Sequence, residues 1–104
     1  MSVQETIETT IKSNKVVLYM KGNADFPQCG FSARSVAILR HLGAEFHSVD
    51  VLADPEIRQG IKDFASWPTI PQLYIDGEFV GGSDIMMQLF ESGDLERLVS
   101  TEQA

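Results

Sequence analysis

At 104 residues the chain fits one small domain and leaves no room for a second. Its 43% hydrophobic content supports a packed core, and its formal net charge of −7 argues against general affinity for nucleic acid or an anionic membrane. No apolar run approaches the ~20 residues needed to span a bilayer, and a single cysteine excludes an internal disulfide framework.

The opening residues Met1-Ser2-Val3-Gln4-Glu5 are polar, with an acidic residue and no basic flank, unlike a signal peptide or an Arg-rich transit peptide. A cytoplasmic location is expected; a presequence removed before Met1 would place the chain in the mitochondrial matrix instead. Val3, Ile7 and Ile11 then recur at helical spacing, with Asn14 as the stop. Val16-Val17-Leu18-Tyr19-Met20 is an apolar run of strand formers, the pattern of a buried strand. Lys21 to Gln28 has the Gly, Asn, Asp and Pro of a loop. From Cys29 the helical period returns, placing Phe31, Ser35, Ile38, Leu39 and Leu42 on one face, and Gly43 ends it. Glu45 to Val51 reads as a second strand, parallel to the first because a helix joins them.

Asp54-Pro55 opens another helix, Asp as N-cap and Pro at the first helical position. Ile57, Ile61, Phe64 and Ala65 give it an apolar face, with Gly60 a weak point. Trp67-Pro68-Thr69-Ile70-Pro71 is a rigid loop. Gln72 to Ile75 and Glu78 to Val80 are short strands around Asp76-Gly77, a hairpin signal. After Gly81-Gly82, Ser83-Asp84 leads a helix with Ile85, Met86 and Leu89 as inward positions; Leu95, Leu98 and Val99 indicate a short last helix. The order is α-β-α-β-α-β-β-α-α, an α/β fold with a central sheet of about four strands and helices on both faces. No repeat or linker interrupts it, so residues 1–104 read as one domain.

Cys29 stands where a loop hands over to a helix. Unpaired amides and the helix dipole favour an anion there, and a thiol so placed has a lowered pKa. Lys21 and Arg34, near in sequence, are candidates to add positive charge. The alternative is an inert buried cysteine; Pro27, Gly30 and the β-α-β placement favour the reactive one. A two-cysteine redox motif would carry its second thiol where Ser32 stands, so this chain cannot cycle through a disulfide of its own. Pro71, just before a strand, is a candidate cis proline that would turn the backbone of Ile70 outward to pair with an extended peptide. Gly81-Gly82-Ser83-Asp84 combines close backbone approach with a helix N-terminus suited to a carboxylate, and Asp84 suits an ammonium. An ordinary turn and N-cap would use the same residues. His41 and His47 lack metal-ligand spacing with Cys29, and Met20, Met86, Met87 and Trp67 read as packing residues.

Four ordered segments carry a resemblance: Leu18-Tyr19-Met20-Lys21-Gly22, Pro27-Gln28-Cys29-Gly30-Phe31-Ser32, Trp67-Pro68-Thr69-Ile70-Pro71-Gln72-Leu73-Tyr74 and Gly81-Gly82-Ser83-Asp84-Ile85. Over essentially its whole length the chain resembles a monothiol glutaredoxin of the CGFS class. The resemblance implies a thioredoxin-like fold, with a mixed four-stranded sheet and a glutathione site. In that site Lys21 and Arg58 would bind the glycyl carboxylate, and Ile70, ahead of a cis Pro71, the cysteinyl unit. Ser83 and Asp84 would hold the γ-glutamyl end. The family usually has Cys where Ser83 stands.

The resemblance also implies that Cys29 ligates a 2Fe–2S cluster. Such a cluster normally takes four thiolates; two chains and two glutathiones would supply them in a homodimer. The implied function is cluster binding, assembly and transfer, with BolA-type proteins and iron–sulfur acceptors as partners and only weak oxidoreductase activity. The alternative function is glutathione-dependent thiol–disulfide exchange by a one-thiol mechanism, with Cys29 as the catalytic nucleophile.

Overall fold

All five residues of strand β1, Val16–Met20, are buried, and the alternation of side chains along a strand sends them to two different cores. Val16, Leu18 and Met20 join one core cluster, Val17 and Tyr19 the other. Helix α2 (Gly30–His41), with α4 (Ser83–Ser92) and α5 (Asp94–Val99), covers the first face through Val36, Ile38, Leu39, Met86, Leu95 and Val99. Helices α1 (Val3–Ser13) and α3 (Pro55–Ala65) cover the second through Ile7, Ile11 and Ile61. The computed structural model describes residues 2–100; Met1 and residues 101–104, the ends of the expected 1–104 domain, lie outside the described residues.

The sheet has four strands in the order β2-β1-β3-β4, with β2 (His47–Asp50), β3 (Gln72–Ile75) and β4 (Glu78–Gly81). β1 and β2 are parallel, as their helical crossover requires, and β3 is antiparallel to both β1 and β4. Asp76 and Gly77 both take positive φ, 53° and 81°, and close the expected hairpin. Asp54 caps α3, its carboxylate accepting from the amides of Glu56 and Ile57. No described helix is long and apolar enough to cross a membrane.

Several expectations need correction. The strand expected over Glu45 to Val51 is shorter, because only His47–Asp50 finds a partner in β1. Val51 is buried in the turn beyond, its amide donating to the Met20 carbonyl at 2.9 Å. Phe31, assigned to the buried face of α2, is 62% exposed, because in the first turn the side that meets the core is occupied by Ser32, and Phe31 faces the groove. Leu98 is exposed while Leu95 and Val99 are buried; in α4 Met86 is fully buried and Leu89 packs partly buried against the same core, as expected, whereas Ile85 does not join it. Gly60 is no weak point: it is buried, and a Cβ there would collide with Val3 Cγ1 and reach 3.1 Å from Ile7 Cδ1. Its missing side chain is what lets α1 lie close on α3, where Gln4 also donates to the Gly60 carbonyl.

Candidate functional site

The strand register gathers the candidate residues at one end of the sheet. Tyr19, next to the last residue of β1, pairs with Gln72, the first of β3, and Leu73 pairs with Gly81, the last of β4. The segments just beyond these residues, 21–29, 67–71 and 82–84, therefore converge.

The loop after β1 is closed by hydrogen bonds. The Gln28 amide donates to the Lys21 carbonyl at 2.8 Å, and Asn23 Oδ1 accepts from the amides of Asp25 and Phe26. Gly22 takes φ +87° at the crossing point; a Cβ there would lie 2.5 Å from the Phe26 carbonyl oxygen, so only glycine fits. Its amide donates to Asp50 Oδ1, which pins the loop to the end of β2. The loop thus returns the chain so that α2 starts beside the end of β1.

Cys29 is the N-cap of α2, in extended conformation, and its Sγ accepts from the Ser32 amide at 3.3 Å. The Ser32 hydroxyl lies 3.3 Å from Sγ and accepts from the Lys21 amide at 3.1 Å, tying thiol, helix and strand end together. Partial burial pushes the thiol pKa up, but hydrogen bonds from the Ser32 hydroxyl and amide and from Phe31, with the charge of Lys21, outweigh it and hold the pKa below the ordinary thiol value. Of the two cations considered from sequence, Lys21 is the one whose charge acts on the thiol. Arg34 turns away to α4, donating from Nε to Ser83 Oγ at 2.8 Å and from Nη2 to Asp84 Oδ1 at 2.7 Å.

The Ile70–Pro71 peptide is cis. Among the described residues neither the amide nor the carbonyl of Ile70 has a hydrogen-bond partner. The loop is held from below by Gln72, fully buried, whose Nε2 donates to the carbonyls of Trp67 and Thr69 at 3.2 Å each. Tyr74 in turn donates to Gln72 Oε1 at 2.9 Å. Gly82 N-caps α4 without a side-chain bond to the first helical amides. A Cβ on Gly82 would lie 3.3 Å from the Pro71 carbonyl oxygen, so glycine lets the start of α4 approach the loop.

Between these segments runs a groove of about 390 Å³ lined by Lys21, Phe31, Lys62, residues 67–71 and residues 82–85, a size typical of small-molecule clefts. Cys29 is not among the lining residues; its thiol borders the groove through Lys21, which lines it and whose charge acts on the thiol. Of the residues assigned from sequence, Lys21, Ile70, Pro71, Ser83 and Asp84 line it; Arg58 does not, and Lys62, one turn further along α3, does. Lys62 and the groove-facing Phe31 were missed. An i, i+4 search from Arg58 along α3 would have offered Lys62 as an alternative cation. His41 packs edge-on against Phe90, at the opposite end of α2 from Cys29, and His47 starts β2, away from the groove. A larger concavity of about 910 Å³ lies at that other end of the sheet, between Asn14, Leu42, His47 and Val99, and contains none of the assigned residues.

Residues 16–80 match the family model described as Glutaredoxin. An uncharacterized monothiol glutaredoxin of the cyanobacterium Synechocystis is 53% identical over 98 residues, 94% of this chain and 92% of that protein. Reduced apo GrxS14 of poplar, solved in solution, is 52% identical with a TM-score of 0.81, covering 92% of this chain and 88% of that one. A monomeric truncated mutant of Trypanosoma brucei 1-C-Grx1, 42% identical, superposes with a TM-score of 0.86 over 100% of this chain and 99% of its own. The thioredoxin-like fold expected from sequence is the one these structures share.

Proposed function

The chain belongs to the glutaredoxin family, as a monothiol glutaredoxin, and on that premise we propose that it binds glutathione in the groove and carries a 2Fe–2S cluster shared between two copies. The observation that carries this reading is one thiol of lowered pKa, in a chain with no other cysteine, at the border of a groove whose charges match glutathione. Glutathione has two carboxylates and one ammonium; the groove offers Lys21, Lys62 and the carboxylate of Asp84. In this arrangement Lys21 and Lys62, with Arg58 one turn away, hold the glycyl carboxylate. The unpaired backbone of Ile70 takes the cysteinyl unit in the manner of an added strand. The unpaired amides at the start of α4, with Ser83 and Asp84, take the γ-glutamyl head. Bound this way, glutathione supplies a second thiolate beside Cys29.

The cluster is the cargo. It normally takes four thiolates, and a chain with its glutathione offers two, so the loaded state is a symmetric dimer joined by the cluster. Phe26 and Phe31, 71% and 62% exposed, flank Cys29 and give the joining faces an apolar rim. Half the thiolates belong to an exchangeable small molecule, which suits delivery to iron–sulfur acceptor proteins. A BolA-type protein supplying a histidine is the proposed alternative partner to a second copy. A reducing compartment such as the cytoplasm suits the free thiol.

The lowered pKa of Cys29 also favours a second activity. Its thiolate attacks the glutathionyl sulfur of a mixed disulfide and releases the other thiolate. A second glutathione then attacks the Cys29–glutathione disulfide, restoring the thiolate and leaving glutathione disulfide. Ser32 does not interfere with either step.

Anaerobic reconstitution with iron, sulfide and glutathione, followed by visible absorption and gel filtration, tests the first reading. A visible chromophore with dimer formation, both dependent on glutathione, supports it. A protein that remains colourless and monomeric, and instead turns over a small glutathione mixed disulfide rapidly, makes the exchange activity the main function.

A further inference from the structure

The first turn of α4 is crossed by a cation that the glutathione reading leaves unused. Arg34 bonds Ser83 Oγ through Nε and Asp84 Oδ1 through Nη2, at 2.8 and 2.7 Å, so its guanidinium lies directly over the two side chains assigned to the γ-glutamyl head. It also sits 5.9 Å from the centroid of the Phe31 ring, itself a groove residue. Arg34 is not itself among the residues that line the groove, but it bonds two that are, Ser83 and Asp84, whereas Lys21 follows β1 and Lys62 belongs to α3, which covers the other face of the sheet. We propose that Arg34 is a specificity-determining residue for the γ-glutamyl head of glutathione: it exchanges its bond to Asp84 for one to the α-carboxylate of the head, while Asp84 takes the α-ammonium. The proposal rests on the glutathione reading above and deepens it.

The chemistry is complementary. The head is a zwitterion with its carboxylate and ammonium on one carbon, and the Arg34–Asp84 pair is the matching cation and anion. The pair is open to water, with side-chain exposures of 37% and 85%, so it is held weakly and opens at little cost. A guanidinium has N–H donors to spare beyond the two used here, and its planar fork suits a carboxylate. The Nε bond to the nearly buried Ser83 keeps the group in place while Nη2 changes partner.

Two analogues separate the charges of the head: γ-aminobutyryl-cysteinylglycine lacks only the α-carboxylate, and glutaryl-cysteinylglycine lacks only the α-ammonium. NMR titration of the reduced protein with these and with glutathione gives the affinities. The wild type is expected to bind the aminobutyryl analogue about tenfold more weakly than glutathione, the scale of one charge-assisted contact. Arg34→Ala is expected to lose most of that preference, the α4 amides keeping the rest, while binding the aminobutyryl analogue as the wild type does, and Arg34→Lys to keep more of it. Arg40→Ala, on the same helix but paired with Asp25, should leave the ratio unchanged. The proposal is overturned if Arg34→Ala or Arg34→Gln, still folded by its urea midpoint, keeps the full preference; the α4 amides would then hold the carboxylate alone. If the wild type shows no saturable binding of glutathione itself, the glutathione reading fails, and this proposal fails with it.

Discussion

Cys29, Ser32 and Lys21 form one unit: the hydroxyl that touches the thiol is also held by the backbone at the end of β1. Removing that hydroxyl in Ser32→Ala should raise the pH midpoint of Cys29 alkylation toward the ordinary thiol value; an unchanged midpoint would assign the shift to the amides and Lys21. The sign for stability follows from the lowered folded-state pKa. The contribution is present above the unfolded thiol pKa and is lost as pH falls through the folded one. The stability difference between wild type and Cys29→Ser, followed by urea unfolding, should therefore grow in favour of the wild type as pH rises through that window. At the other end of the groove, Lys62→Ala should weaken glutathione binding more than Arg58→Ala, since Lys62 lines the groove and Arg58 does not. Cys29 as a helix-start thiol was legible because one residue and its neighbours define it. The reach of Arg34 to Asp84 was not, because the two are 50 residues apart in sequence and meet only once α2 and α4 pack on the same face.

At the scale of elements, the 67–71 loop owes its shape to strand β3 beneath it. Gln72→Leu removes both bonds to the loop carbonyls and leaves the buried Tyr74 hydroxyl without its acceptor. The expected cost is about 2 kcal/mol by urea denaturation, within the range for orphaned buried polar groups. A loss of that size accompanied by weaker glutathione binding would tie the loop to the site. Gly60→Ala tests the α1–α3 contact. Helix propensity alone predicts a gain of about 1 kcal/mol. The collision with Val3 and the close approach to Ile7 reverse it to a loss of about 1 kcal/mol through overpacking. The strands β1 and β3, the hairpin at Asp76-Gly77 and the Asp54 cap were legible because each is written in local chemistry. The length of β2 and the exposure of Phe31 were not. A strand ends where its neighbour ends, and a residue at the edge of a helical face is covered only if something packs beside it; in the first turn of α2 the buried position belongs to Ser32.

Over the whole molecule, β1 divides the interior into two cores and its far end collects every groove segment, so site and stability share one scaffold. Tyr19 and Tyr74, packed edge to face at 5.8 Å, make the second core sensitive to alkali. Burial pushes the Tyr19 phenol up from 10.0 to about 12 and moves Tyr74 in the same direction. Their contribution is full below the unfolded phenol pKa of 10.0 and is lost as pH rises toward about 12. Phenolate absorbance should therefore appear together with unfolding on alkaline titration, where exposed phenols would ionise first in a still-folded protein. The central claim, a cluster shared by two one-thiol chains through glutathione, is tested most directly by the composition of the reconstituted dimer, measured by native mass spectrometry with iron and glutathione assays. The account predicts two chains, two glutathiones and one 2Fe–2S cluster, as four thiolates require, with all three lost together in Cys29→Ser. A dimer that carries the cluster without glutathione, or an unchanged cluster in Cys29→Ser, would contradict it.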